Sequence, residues 1–190
     1  MLTENELIKF RRELHSYPET GWCEFVTTHK IVEKLRSFGL DPIYGRQVIN
    51  PEFVAGRNPA KVEEAKKAAL DKGVPPEFIE SMQDYTGVAA IFETGRPGPV
   101  LAIRFDMDCV DVDEAHEAGH RPFDEGWAST NQGHMHSCGH DGHMAIALEL
   151  ARRLARRRSI PHNVLLVFQP AEETTGGARA ICEAGVFAQY

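Results

Sequence analysis

Asn163-Val164-Leu165-Leu166-Val167-Phe168 runs straight into Gln169-Pro170-Ala171-Glu172-Glu173. After its first residue the stretch is apolar without a break. Its length suits a strand better than a helix. A strand with one wet face alternates polar and apolar residues, so a strand without alternation is covered on both faces, as a central strand is. Upstream, the spacing predicts a helix from Gly142 to about Arg158. It buries Ala147, Leu148, Ala151 and Leu154, and its basic end suits a helix C-terminus. Downstream, a last helix is expected from Gly177 to Ala184. A helix, a buried strand and a second helix in succession set the class as α/β.

Two further strands are expected at Thr86–Glu93 and Pro99–Phe105. The turn residues Thr94-Gly95-Arg96-Pro97-Gly98 between them predict an antiparallel hairpin. Near the start, Thr3-Glu4-Asn5-Glu6 has the pattern of a capping box, and Leu7, Ile8, Phe10, Arg11 and Leu14 follow at helical spacing until Pro18. A second helix fits Glu24 to Phe38, with Val26, Ile31, Val32 and Leu35 inward and Gly39 as its stop. A short strand is expected from Ile43 to Ile49. Residues 50–84 are rich in Lys, Glu and Ala, and read as two short helices in a solvated surface insertion. Residues 113–134 are polar and irregular, and a long loop inside a compact domain is often functional. The expected architecture is a three-layer α/β domain, a mixed sheet between helices.

Composition narrows the function. The 190 residues are 42% hydrophobic, enough for a core, and carry a net charge of −7. An acidic chain lacks the basic face that phosphates require, which argues against nucleic acid and against an anionic membrane surface. No apolar run reaches transmembrane length, and MLTENELIKF has neither the basic nor the apolar region of a signal peptide. Four scattered cysteines form no disulfide framework, so a reducing cytoplasm is the expected compartment. Of nine histidines, four lie between His134 and His143.

Three clusters suited to chemistry stand at the ends of expected elements: Asp106-Met107-Asp108 after a strand, His134 to His143 before a helix, and Glu172-Glu173 after the central strand. Open α/β sheets place their sites at the carboxyl ends of strands. Each cluster has a plainer reading. The aspartates could cap a helix, and adjacent glutamates are usually solvated, although these follow a buried strand and a proline. Two adjacent carboxylates can divide labour, one ligating a metal and one acting as general base. Cys138-x-His140 pairs two good ligands for Zn²⁺, Mn²⁺ or Co²⁺, with Gly139 and Gly142 allowing a sharp turn. A zinc knuckle would need a second Cys/His pair, a redox site a C-x-x-C and a serine hydrolase a G-x-S-x-G. The sequence has none of these.

Taken together, the motifs resemble the M20 metallopeptidase family in its amidohydrolase branch. They are Arg11-Arg12-Glu13-Leu14-His15 with Pro18-Glu19-Thr20-Gly21, Gly95-x-Pro97-Gly98-Pro99, Arg104-Phe105-Asp106-Met107-Asp108, Met135-His136-Ser137-Cys138-Gly139-His140-Asp141-Gly142-His143, and Phe168-Gln169-Pro170-Ala171-Glu172-Glu173. The insertion at 50–84, His120-Arg121-Pro122-Phe123, and Asp108-Cys109-Val110-Asp111 in place of the commoner Asp-Ala-Leu-Pro are similar to the aminobenzoyl-glutamate subgroup.

The resemblance implies a zinc-peptidase-like catalytic domain holding two divalent ions, Mn²⁺ or Zn²⁺, and cleaving the amide bond of an N-acyl amino acid. It makes Cys138, His140 and Glu173 metal ligands, Glu172 the general base, and Asp108 the residue behind the site that orients a ligand. Asp106 stands where other branches carry a ligand histidine, and His136 and His143 become supporting residues. Family members run on to further ligand histidines and to a lid or dimerisation domain. Residues 1–190 are therefore expected to be the N-terminal part of the catalytic domain, with the lid absent, the site incomplete and a sheet edge exposed. Expected partners are a small amide substrate and either a second copy or a paralogous protein chain. The alternative is a non-catalytic segment binding at most one metal.

Overall fold

The computed structural model describes residues 4–157 and 160–189. Its sheet has four strands: β1 (Ile43–Tyr44), β2 (Val88–Phe92), β3 (Val100–Asp106) and β4 (Asn163–Gln169), in the order β1-β2-β4-β3. The central, doubly covered strand is β4, as its composition requires: Val164 to Gln169 are all buried. It pairs antiparallel with β2, from Val88↔Phe168 to Phe92↔Val164. It pairs parallel with β3, from Val100↔Asn163 to Asp106↔Gln169.

This overturns the expected hairpin. β2 and β3 form as strands but do not pair, because β4 lies between them. Central sheet positions go to the chain that gains most from burial on both faces. The 94–98 turn instead arches over the start of β4. There the Asn163 side chain accepts hydrogen bonds from the Thr94 N–H and hydroxyl, both at 2.8 Å. Because β3 and β4 are parallel and in step, Asp106 and Gln169 end side by side and both chains leave the sheet at the same end.

Helix α1 (Glu4–His15) and helix α2 (Phe25–Ser37) pack on the long helix α6 (His140–Arg156), and α2 and α6 pack on the sheet. They bury Leu14, Phe25, Ile31, Leu35, Met144 and Leu148 in the same core as Leu166 and Phe168. Each such side chain contributes about 1.5–3 kcal/mol on leaving water. Thr3 of the expected capping box and Arg158 at the expected end of α6 lie outside the described residues. Helix α2 is capped from a distance: Glu19 accepts the N–H groups of Val26 and Thr27 at 3.0 and 2.7 Å. Helix α7 (Gly177–Cys182) packs on β4.

Two more expectations are corrected. The strand from Ile43 stops after Tyr44, because Gly45 turns left-handed (φ +60°) to pass Met82. A Cβ at Gly45 would meet the Met82 carbonyl oxygen at 2.6 Å, and the Arg46 N–H donates to that oxygen at 3.0 Å. Residues 50–84 do contain two helices, α3 (Pro59–Asp71) and α4 (Pro76–Ser81), but they are no solvated decoration. Val62, Ala69, Phe78, Ile79 and Met82 are buried in the core, and the Phe78 ring stacks on Tyr44 at 4.8 Å. The charged outer face of α3 hides a narrow apolar stripe at 62, 65 and 69. Helix α5 (Arg121–Asp124) is a single turn inside the long 113–134 segment. The outer edge of the sheet is β3, on which Leu101 is 56% exposed. Among the described residues, no helix is long and apolar enough to cross a membrane.

Candidate metal centre

Parallel pairing of β3 and β4 brings two of the three clusters together. Past the end of β3, the Met107 N–H donates to the Gln169 carbonyl at 3.0 Å, and the fully buried Asp108 turns beneath the segment that follows β4. Its two carboxylate oxygens accept the backbone N–H groups of Glu172 and Glu173, each at 3.0 Å. The third cluster arrives on α6. Gly139, left-handed at φ +82°, delivers His140 into the first turn, where Nδ1 lies 2.8 Å from the Asp108 carbonyl oxygen. That oxygen can only accept, so Nδ1 carries the proton and Nε2 is directed toward carboxylates, 3.8 Å from Glu173 and 3.9 Å from Asp106. His140, Glu172 and Glu173 each offer one ligand atom, and these atoms lie within 4.8 Å of one another.

Electrostatics marks the same point. Burial pulls the His140 imidazolium down. Hydrogen bonds to the Asp108 side chain and carbonyl, with the charges of Asp106 and Asp108, outweigh that and push it up to about 9. The carboxylates of Asp106, Asp108 and Glu173 around His140 make this pocket electronegative, as a cation site must be. One imidazole nitrogen and two carboxylates are a donor set suited to a divalent ion, so the residues present fit the metal that the sequence motifs imply.

The other candidates fall around this cluster. Cys138 is exposed and is not among the three converging residues. Its thiol hydrogen-bonds Glu173, which raises its pKa. Asp106 is held by Arg104 at 2.5 Å and lies 3.3 Å from His143 Nδ1. His143 stacks over His140, with ring centroids 5.7 Å apart. His136 is buried with neither ring nitrogen hydrogen-bonded, and burial lowers it to about 4, so it is neutral.

One polar network was not foreseen. His15 is buried between two carboxylates, with Nδ1 2.8 Å from Asp141 and Nε2 3.0 Å from Glu114. Asp141 also meets Arg11 at 2.7 Å, and Glu114 meets His120 at 2.9 Å and accepts the Ser129 N–H. Together these contacts tie α1 and the 113–134 segment to the first turn of α6, beside His140. Positions 15, 114 and 141 share no local pattern, so periodicity and spacing could not have linked them.

Residues 102–190 match the model of peptidase family M20/M25/M40. The chain is 44% identical over 184 residues to a p-aminobenzoyl-glutamate hydrolase subunit homolog of Haemophilus influenzae, covering 96% of this chain and 44% of that protein. It is 44% identical to the indole-3-acetyl-aspartic acid hydrolase of Enterobacter agglomerans, covering 95% and 42%. Among solved structures, the Bacillus subtilis YXEP protein, a dinuclear metal-binding peptidase of the M20 family, aligns with a TM-score of 0.69 at 33% identity, covering 96% and 39%. The chain thus spans about two fifths of the length of the relatives it matches.

Proposed function

We propose that this chain is a member of peptidase family M20/M25/M40 and that it carries the general base and part of the ligand set of a metal-dependent amidohydrolase acting on N-acyl amino acids. One observation carries the reading: the Asp108 carboxylate takes the N–H groups of both Glu172 and Glu173, which turns two adjacent carboxylates toward His140.

In this reading Cys138, His140 and Glu173 hold Mn²⁺ or Zn²⁺, which when bound would polarise the amide carbonyl and acidify water. Glu172 is the general base: it removes a proton from the attacking water and returns it to the departing amine. Asp108 positions the machinery by fixing the His140 tautomer and the Glu172–Glu173 backbone. Three ligands are too few for two ions, so the rest come from beyond these 190 residues, and the segment alone is inactive. The named relatives act on an aromatic acyl group joined to an acidic amino acid, and p-aminobenzoyl-glutamate is the substrate we infer here. A second, different protein chain is the proposed partner, because the Haemophilus influenzae relative is named as a homolog of one subunit of a hydrolase. Four unpaired cysteines support a cytoplasmic setting.

The test is Glu172→Gln in the complete protein, assayed on p-aminobenzoyl-glutamate beside other N-acyl amino acids. Metal content should hold while turnover falls by about 10²–10⁴, the usual worth of a general base. Turnover near the wild-type value would refute the assignment of Glu172.

A further inference from the structure

Ala171, the residue before the two glutamates, has φ +52°, a strained conformation for any residue with a Cβ. It is wholly buried, and its N–H must therefore find a partner inside the protein. That partner is Glu24 Oε1 at 2.8 Å. The other oxygen of Glu24 accepts the hydroxyl of Thr86 at 2.6 Å, and neither Glu24 nor Thr86 is exposed at all. Three consecutive amides, those of residues 171, 172 and 173, are thus taken by two buried carboxyl groups, one by Glu24 and two by Asp108. The Ala171 carbonyl is pinned as well, accepting the N–H groups of Gly176 and Gly177 at 3.1 and 3.2 Å. Underneath, Gly21 leaves room for the turn, since a Cβ there would lie 3.0 Å from Ala171 Cα.

We infer that Glu24 is a positioning residue for the metal and base carboxylates: by holding the Ala171 amide it keeps the chain left-handed at that point and so aims Glu172 and Glu173 at His140. The inference rests on the proposed roles of Glu172 and Glu173. Without Glu24, the Ala171 N–H would be a buried donor with no acceptor, and relaxing it rotates the residue that sets the direction of the next two. Glu24 is wholly buried beside Asp108. Burial first, and the nearby Asp108 charge second, push it well above the ordinary carboxyl range. Its two oxygens accept from the Ala171 N–H and the Thr86 hydroxyl, so the carboxyl is held at both ends.

Site-resolved amide hydrogen exchange on the full 190-residue chain tests this without any metal. In Glu24→Leu, exchange at residues 171, 172 and 173 should accelerate roughly tenfold or more, the factor that loss of one buried hydrogen bond implies, while residues 164–168 of β4 keep their protection. Glu24→Gln can still accept from Ala171 and donate to Thr86, and it should keep the wild-type pattern. Unchanged exchange at 171–173 in Glu24→Leu overturns the inference. So does a uniform acceleration through β4 and α2, which would mark Glu24 as a core residue only, and so does a Glu24→Gln variant as exposed as Glu24→Leu. If Glu24→Leu does not fold, Thr86→Val removes only the hydroxyl bonded to Glu24: faster exchange confined to 171–173 supports the inference, and no change there overturns it. A parallel Co²⁺ titration separates the two readings. A complete wild-type protein that takes up no Co²⁺ counts against the metal assignment, while the exchange pattern still decides the role of Glu24.

Discussion

Replacing His15 with Gln probes the buried bridge behind the candidate metal centre. The imidazole lies between Asp141 at 2.8 Å and Glu114 at 3.0 Å, and both carboxylates are fully buried. Removing the cation from a buried ion pair leaves uncompensated charge, at a cost of about 3–5 kcal/mol. Arg11 still reaches Asp141, and His120 still reaches Glu114, so the low end applies, about 3 kcal/mol. For a chain of this size that corresponds to a fall in melting temperature of about 6–12 °C. The effect should depend on pH. Burial lowers His15, but hydrogen bonds to Asp141 and Glu114 and the charges of both outweigh it, so its pKa in the folded state lies above 6.5. A raised histidine stabilises the fold fully below 6.5 and loses that contribution as pH climbs through the folded value. Asp141 and Glu114 are both lowered in the fold, burial being outweighed by their histidine hydrogen bonds. Their contribution is therefore complete above 3.8 and 4.5 respectively and fades as pH falls. The deficit of His15→Gln should be greatest between about pH 5 and 6.5 and shrink toward pH 9. Urea denaturation of both proteins at pH 6 and pH 9 measures it. Glu19, pushed up to about 7, and His140, up to about 9, titrate in both proteins and cancel in the difference. A deficit below about 1 kcal/mol at pH 6, or one that is the same at both pH values, would show that His15 is not a buried cation bridging two carboxylates.

Other substitutions test the site and the core. In the complete protein, Cys138→Ser and Glu173→Ala should each lower Co²⁺ affinity, and Cys138→Ser should also abolish the near-ultraviolet thiolate-to-cobalt band; an unchanged spectrum would return Cys138 to a surface residue. Gly177→Ala should destabilise by about 1–3 kcal/mol in thermal melts although alanine favours helices, because its Cβ would overlap the Pro170 carbonyl; a more stable variant would show that the 170–177 turn is looser than described. Met82→Ala should cost about 2–5 kcal/mol if residues 50–84 belong to the core, whereas a true surface decoration would change stability by about 0.5 kcal/mol or less.

What could be read from the sequence was what is local. Val164 to Phe168 state their own burial, and periodicity states the helices, because each depends on neighbours within a few residues. Strand partners are not local. Thr94-Gly95-Arg96-Pro97-Gly98 has every mark of a hairpin turn, yet the pairing was decided by a strand more than sixty residues away that gains more from the central position. Residues 59–71 misled in another way. Lysines and glutamates dominate their composition, while Val62, Ala65 and Ala69 carry the packing, so a charge count misses a stripe only three residues wide. At the site, the residue types of His140, Glu172 and Glu173 were legible because ligand chemistry restricts them. The supports beneath them, Glu24, His15 and Glu114, were not, since a buried carboxyl or imidazole has no signature until its partner is known.

Asp108 explains why the three clusters had to be read together. Its carbonyl oxygen fixes the proton of His140 on Nδ1, and its carboxylate fixes the amides of Glu172 and Glu173. One residue therefore sets both the free imidazole nitrogen of His140 and the paired carboxylates, and neither needs to contact the other to be aligned with it. This arrangement stands on the parallel β3–β4 pairing: had β3 folded back on β2 as a hairpin, Asp108 would have been one strand further from Glu172 and could not have taken either amide. The apolar character of β4 and the acidic residues after it are thus parts of one requirement. The strand must be buried enough to displace its neighbour, and the chain that leaves it must meet a carboxylate that only the displaced topology supplies.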